Sequence, residues 1–239
     1  MKIAIIGYGK MGKTIEQIAI NRGHDVALKI NSKNIDEFNA NNFKDIDAAI
    51  EFTNPHVAYL NVMDLLEWEV PVVCGSTGWQ EKVHEAHAKC LEKNTSFIHA
   101  SNFSVGVNLF WEINKKLAKL MAPQIDYKVS IEETHHIHKK DAPSGTAITT
   151  AEQILAINPA LQSWQLGNEN IPLNTLPIIA HRQDEVPGTH IVKYNSPIDE
   201  IALTHTAYSR DGFALGAVLA AEFIHDKVGV FQMKDILGL

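Results

Sequence analysis

The chain is expected to fold as an α/β protein in which a parallel sheet comes first and an α+β part with an open mixed sheet follows. Three observations support this. Short β-branched apolar runs alternate with amphipathic helical segments through the first hundred residues, the pattern of parallel strands joined by crossover helices. The first run, Lys2–Ile6, passes directly into Gly7-Tyr8-Gly9-Lys10-Met11-Gly12, a Gly-x-Gly-x-x-Gly turn. After Pro123 the apolar period changes to two: Tyr127, Val129 and Ile131 alternate with Lys128, Ser130 and Glu132.

Length and composition narrow the function classes. At 239 residues, 45% hydrophobic and 21% charged, the chain suits one large domain or two small ones. A net charge of −7 and a pI near 5.9 argue against a general nucleic-acid surface, so no nucleic-acid partner is expected. No apolar run reaches spanning length and the N-terminus starts a strand pattern at once, so neither a membrane segment nor a signal peptide is expected and the location should be cytoplasmic. Cys74 and Cys90 match no metal or redox spacing and are read as reduced structural residues.

Taken in order, the strand at residues 2–6 is of the fully buried type. Ile15, Ile18 and Ala19 extend the glycine turn as a helix that ends near Gly23. Strand, glycine turn and helix together predict a Rossmann-type dinucleotide-binding domain, with the glycines allowing the tight turn and the approach of pyrophosphate to backbone amides. The next strand, Val26–Ile30, ends at Asn31-Ser32-Lys33, where such a fold meets the adenosine ribose; an acid would favour NAD, and Asn31 beside Lys33 does not. Strands at residues 48–53 and 70–75 flank an amphipathic segment from Val57 to Leu66. They exit into Thr53-Asn54-Pro55 and Gly75-Ser76-Thr77-Gly78, both on the ligand side of the sheet.

A helix through Val83–Leu91 and a strand at Ser96–Ala100 complete the first half. Val107, Phe110, Ile113, Leu117, Leu120 and Met121 then form a helical stripe expected to be core. Residues 159–177 read as a polar surface excursion. Pro177–Arg182, His190–Tyr194 and Ile198–Tyr208 read as strands in antiparallel hairpins, giving an open sheet whose uncovered face suits another subunit. A small-residue helix at Phe213–Phe223 and a short terminal helix close the chain.

The chemistry concentrates in residues 133–146. In an acidic protein, His135, His136, His138, Lys139 and Lys140 crowd six positions and run through Asp141-Ala142-Pro143 into Ser144-Gly145-Thr146. Ala147, Ile148, Ala151, Ile154 and Leu155 follow at helical spacing, making Ser144 the expected N-cap. Helix-start amides at Gly145 and Thr146 would then receive a carboxylate or phosphate. A plain solvated loop is the competing reading. Metal ligation by His135, His136, His138 and Asp141 is opposed by the flanking lysines, and nucleophilic use of Ser144 by the lack of a Gly-x-Ser-x-Gly turn.

With Asn102-Phe103-Ser104-Val105-Gly106-Val107-Asn108 added to these motifs, the chain resembles the 4-hydroxy-tetrahydrodipicolinate reductase (dihydrodipicolinate reductase) family of lysine and diaminopimelate biosynthesis. The resemblance implies a dinucleotide-binding domain from residues 1–103 and 211–239, and a substrate and oligomerisation domain at 104–210. It implies His135 as proton donor or acceptor, Lys139 as second catalytic donor, and His136 with Gly145 and Thr146 on the carboxylates of a small dicarboxylate substrate. It sets Gly75, Ser76, Thr77, Ala100, Ser101, Asn102 and Phe103 beside the nicotinamide of NADPH or NADH, and it implies a homotetramer. Two departures stand out: Asn31 replaces the acid of many members, and residues 182–188 are shorter than the longer family form. The alternatives are a Rossmann-type dehydrogenase of another amino-acid precursor and a non-catalytic dinucleotide sensor, which would have no use for His135 and Lys139 in one motif.

Overall fold

In the computed structural model, which describes residues 1–239, strand β1 (Lys2–Ile6) is enclosed on both sides. Its alternating side chains serve two cores, Ala4 and Ile6 in one, Ile3 and Ile5 in the other, as a period of two requires. Helix α1 (Lys10–Asn21) follows, then β2 (Asp25–Ile30), β3 (Ala48–Glu51), α2 (Pro55–Glu67), β4 (Val72–Cys74), α3 (Val83–Glu92) and β5 (Ser96–His99). Asn54 caps α2 by accepting the His56 N–H at 3.0 Å, and Pro55 occupies the first helical position, where its missing N–H costs nothing.

Beyond β5 the chain forms α4 (Val105–Met121), β6 (Lys128–His135), α5 (Gly145–Leu155), β7 (Ser163–Leu166), β8 (Thr175–Arg182), β9 (Gly188–Asn195) and β10 (Glu200–Ala207). It closes with α6 (Asp211–Ile224), β11 (Gly229–Phe231) and α7 (Met233–Leu237). Residues group into two compact units, Met1–Val105 with Arg210–Leu239, and Gly106–Ser209.

The first unit is a parallel sheet in the order β11-β5-β4-β3-β1-β2. Helices α2 and α3 cover one face through Ala58, Val62, Leu65, Ala86 and Cys90. The other face meets Ile15 and Ala19 of α1 and the small residues of α6. The chain leaves β1 for β2 on one side and then crosses to β3 on the other, so a topological switch point lies between the carboxyl ends of β1 and β3.

In the second unit a mixed sheet runs β10-β9-β6-β8-β7. Strand β6 lies antiparallel to β9 and parallel to β8, and β8 lies parallel to β7. Of the expected hairpins only β9–β10 forms, because β6 separates β8 from β9. Residues 159–177 include strand β7, where the sequence suggested only a surface excursion; this four-residue edge strand carries no buried residue to give it a period. The α4 stripe also differs. Val107, Phe110, Trp111, Asn114, Ala118 and Met121 are buried, whereas Ile113 and Leu120 are 50% and 70% exposed. The polar Asn114 sits on the true inner face, where its Nδ2 donates to Thr150 O and Gln153 Oε1, and so it hid that face from the hydrophobic pattern. Helices α4 and α5 cover one side of this sheet over Ile131, Leu176, Ile178, Val192 and Tyr194.

Helix α6 docks so closely that a Cβ on Gly216 would fall 1.7 Å from the Phe103 carbonyl oxygen. Only a shift of backbone would admit a side chain. Gly216→Ala is expected to lower stability by about 1–3 kcal/mol, read as a fall in Tm of roughly 2–4 °C per kcal/mol in thermal denaturation.

Candidate active site

Strand period explains the centre of the second unit. Ile131, Glu133 and His135 share the inward face of β6, so the apolar face that begins in the core ends in a carboxylate and an imidazole. Glu133 is fully buried. Its Oε2 accepts the Ser144 N–H at 3.0 Å, and its Oε1 lies 3.4 Å from both terminal nitrogens of Arg182. The neighbouring strands supply the rest of the surroundings: His190 of β9 pairs in register with Glu133, and Arg182 of β8 pairs with His135.

Ser144 caps α5, its Oγ accepting the Ala147 N–H at 3.2 Å and lying 3.0 Å from His190 Nε2. The His135 and His190 rings meet edge to face with centroids 5.0 Å apart. His135 Nδ1 points at Glu133 Oε2 from 3.5 Å, while its Nε2 borders Gly188, where a Cβ would stand only 3.1 Å away. Glycine therefore leaves the Nε2 edge clear. Burial lowers the His135 pKa; Glu133 opposes that shift, and Lys139 and Arg182 reinforce it. His190 is pushed down to about 3, first by burial and then by His135, and so stays neutral.

The loop from 136 to 143 is built onto this base. Lys139 N–H closes a turn on His136 O at 3.1 Å, and the Ala142–Pro143 peptide is cis. Arg182 donates through Nη2 to Asp141 O at 2.6 Å, through Nη1 to His181 O at 2.8 Å and through Nε to Lys139 O at 3.4 Å. Lys139 Nζ bridges both Asp141 carboxylate oxygens at 2.7 and 2.9 Å, which holds the Asp141 pKa down. His136 is half-buried, Gly145 exposed and Thr146 half-buried in the first turn of α5.

His136, His138 and Asp141 do not converge with His135. The residues whose ligand atoms lie within 4.8 Å of one another are Glu133, His135 and His190. Glu133 already receives Arg182 and the Ser144 amide, and His190 Nε2 meets Ser144, whereas His135 Nδ1 makes no hydrogen bond.

In the first unit a cleft of about 680 Å³ opens at the switch point. Gly7, Tyr8, Gly9, Asn31 and Ser32 line it, joined by Ile35, Phe52, Thr53, Asn54, Val57 and Asn61. The glycines fit a dinucleotide. Gly7 has φ +96°, a Cβ there would lie 2.2 Å from Phe52 O, and one on Gly12 would lie 2.6 Å from Gly7 O. No side chain caps the start of α1, which leaves its first amides without a side-chain partner, as anion binding at a helix start requires.

Lys10 and Lys33 are exposed, and Met11 is half-buried. The Tyr8 hydroxyl bonds Glu16, which also holds Lys29 at 3.0 Å. Gly75 abuts the Phe52 ring, and Thr77 is exposed. Ser76 takes the Thr53 N–H on its hydroxyl at 2.8 Å and the Trp79 indole N–H on its carbonyl at 2.8 Å. Ala100 and Phe103 belong to the core beside α6, Ser101 is exposed, and Asn102 Oδ1 accepts the Ser104 N–H at 2.9 Å.

Two family models match the chain in succession, dihydrodipicolinate reductase N-terminus over residues 1–103 and dihydrodipicolinate reductase C-terminus over residues 106–237. The chain belongs to the dihydrodipicolinate reductase family. It is 50% identical over 238 residues to a 4-hydroxy-tetrahydrodipicolinate reductase of Christiangramia forsetii, covering 100% of this chain and 98% of that one. A reductase of the same name from Methanoregula boonei is 35% identical over 196 residues, 81% of this chain and 75% of the other. Among solved structures, a dipicolinate-bound dihydrodipicolinate reductase from a Paenisporosarcina species superposes with TM-score 0.77 at 23% identity, covering 97% of both chains. An amine dehydrogenase from Mycobacterium smegmatis, at TM-score 0.60 and 11% identity over 98% of this chain and 95% of that one, shares the fold. As a dihydrodipicolinate reductase family member the chain is an oxidoreductase with a Rossmann-type domain for a nicotinamide cofactor. No helix is long and apolar enough to cross a membrane.

Sequence reasoning did not single out Arg182 or His190. The readable signal was the β6 alternation itself, which carries Glu133 and His135 inward, where buried charge demands partners.

The neutral, buried His190 sets an acid limit on stability. Its folded pKa of about 3 lies below the ordinary 6.5, so the unfolded chain binds the extra proton. The contribution is intact above pH 6.5 and is lost as pH falls toward 3, amounting to about 2 kcal/mol at pH 5. Denaturant unfolding at pH 7 and pH 5 should show this loss, and His190→Gln, which keeps a hydrogen-bonding side chain without a proton to gain, should flatten it.

Proposed function

We propose that the chain reduces 4-hydroxy-tetrahydrodipicolinate to tetrahydrodipicolinate, using His135 as proton donor and Lys139 as the cation beside the reacting ring. The observation that carries this is a buried imidazole and an ammonium-bearing loop anchored together at the start of α5. Bound NADPH or NADH supplies the hydride. Overall, substrate, reduced cofactor and one proton become product, water and oxidised cofactor.

The residues supply the remaining needs. Hydride arrival builds negative charge on the ring, which the Lys139 ammonium stabilises. With Nδ1 toward Glu133, His135 presents Nε2–H on the side Gly188 leaves clear; that N–H bond breaks as a C–H bond forms on the substrate. Its lowered pKa makes the imidazolium a stronger acid. His136 and the first-turn amides of Gly145 and Thr146 hold the substrate carboxylates, and substrate competes with Asp141 for Lys139. The uncovered face of the mixed sheet favours docking of further copies in a homotetramer.

Cofactor choice turns on the end of β2. A carboxylate there would accept the ribose hydroxyls and repel a phosphate. Asn31 carries no charge, and its Oδ1 already accepts the Lys33 N–H at 2.8 Å, while its own N–H donates to Asn34 Oδ1 at 2.8 Å. Ser32 lines the cleft and Lys33 is an exposed cation beside it. Both cofactors are therefore used, NADPH somewhat better, and the preference shrinks as salt rises.

Nicotinamide absorbance with freshly generated substrate tests the activity. His135→Gln and Lys139→Met should each reduce kcat by about 10²- to 10⁴-fold with cofactor binding nearly intact; wild-type turnover in both would remove the assignment. Comparing kcat/KM for the two cofactors in Lys33→Ala should show the ratio moving several-fold toward NADH, and an unmoved ratio would mean that Lys33 does not meet the phosphate.

A further inference from the structure

We propose that Glu133 and Arg182 form one positioning device, a buried carboxylate paired with a half-buried guanidinium that fixes His135, the Ser144 cap and the Lys139 loop in their working arrangement. The inference rests on the roles given to His135 and Lys139, and neither Glu133 nor Arg182 touches the substrate in it.

The geometry leaves Arg182 little else to do. Its guanidinium lies between the Glu133 carboxylate, 3.4 Å away, and three backbone carbonyls, those of Lys139, Asp141 and His181. Those contacts engage its fork, so it is unsuited to clamp a substrate carboxylate. Two of the three carbonyls, those of Lys139 and Asp141, belong to the loop itself: through them a single side chain fixes the backbone on which Lys139 is carried. The other end of the device is Glu133, whose second oxygen holds the Ser144 amide and faces His135 Nδ1. One fully buried carboxylate thus ties the end of β6, the start of α5 and, through Arg182, the loop between them. The geometric tolerance of proton and hydride transfer makes such an anchor matter, since a displacement of about 1 Å can cost 10²-fold in rate.

Electrostatics separates this device from a merely structural contact. The charged groups around His135 are Glu133 on its own strand, Lys139 and Asp141 on the loop, and Arg182 on β8, with neutral His190 opposite on β9. Glu133 favours the imidazolium and Arg182 opposes it, so removing each charge shifts His135 in opposite directions.

The test uses the full chain with Glu133→Gln, Arg182→Met and the double variant. NMR titration of the His135 imidazole should show its pKa falling in Glu133→Gln and rising in Arg182→Met. The high-pH loss of kcat should follow, moving to lower pH in the first variant and to higher pH in the second. Each single substitution should lower kcat by about 10²-fold with cofactor affinity within about twofold, and the double should cost no more than the worse single, as expected for residues acting as a unit. Unchanged kcat in either variant, additive losses, or His135 shifts of the same sign would overturn the proposal. If Glu133→Gln does not fold, Arg182→Met decides it by the upward His135 shift and the loss of kcat. The NMR reading needs no turnover, so a wild-type chain inactive on the proposed substrate would defeat the functional reading and leave this test standing.

Discussion

A carboxylate with no exposure to water persists only where donors converge on it, and in the second unit that demand falls on Glu133. Its two oxygens divide the work. One meets Arg182 and thereby the carbonyls of the loop; the other meets the Ser144 amide at the head of α5. The histidine-lysine loop is built of polar residues with little apolar surface to bury. Its placement therefore comes from hydrogen bonds that its carbonyls accept from Arg182, which Glu133 holds, and from the Ser144 amide bonded to Glu133 at the loop's end. The same charge faces His135 and sets the field in which that imidazole titrates.

The first unit rests on a steric constraint in place of a charge. Backbone must approach backbone where β1 turns into α1 and where α6 crosses Phe103, and glycine is required at Gly7, Gly12 and Gly216 because any Cβ would collide with a carbonyl group. Nearby a second carboxylate, Glu51, is fully buried at the end of β3. It accepts from the Thr53 amide, the Thr53 hydroxyl and Asn61, and lies 3.2 Å from Cys74 Sγ. Thr53 and Asn61 also line the cleft, so its wall is held from behind by the same principle that holds the histidine-lysine loop.

Much of this is legible in the amino-acid sequence. The parallel sheet followed from apolar runs at strand length, and the Ser144 cap followed from a serine set before a helical period. What escaped did so for identifiable reasons. Strand β7 is four residues long at a sheet edge, with only Trp164 leaning on the core and no fully buried residue to mark it. The inner face of α4 includes Asn114, a polar side chain satisfied by α5, which moved the apparent stripe onto Ile113 and Leu120. At the candidate site the chemistry-bearing motif was visible as a run of residue types. Arg182 and His190, 49 and 57 residues beyond Glu133, were not, because they meet it from the two neighbouring strands of the sheet and no local spacing records that.

By itself the sequence determined the classes of element, the glycine turn, the cap of α5 and the identity of the groups able to donate a proton or hold an anion. These are local properties, governed by side-chain periodicity, backbone freedom and the donors and acceptors within a few residues. Tertiary structure alone decided that β6 would lie between β8 and β9, and with that pairing which cation would meet Glu133, which second imidazole would face His135, and which edge of the His135 ring would remain clear. Glu133 and Lys139 stand close to His135 in the sequence, whereas Arg182 and His190, the partners that sheet order brings to it, lie far along the chain and no local pattern records them.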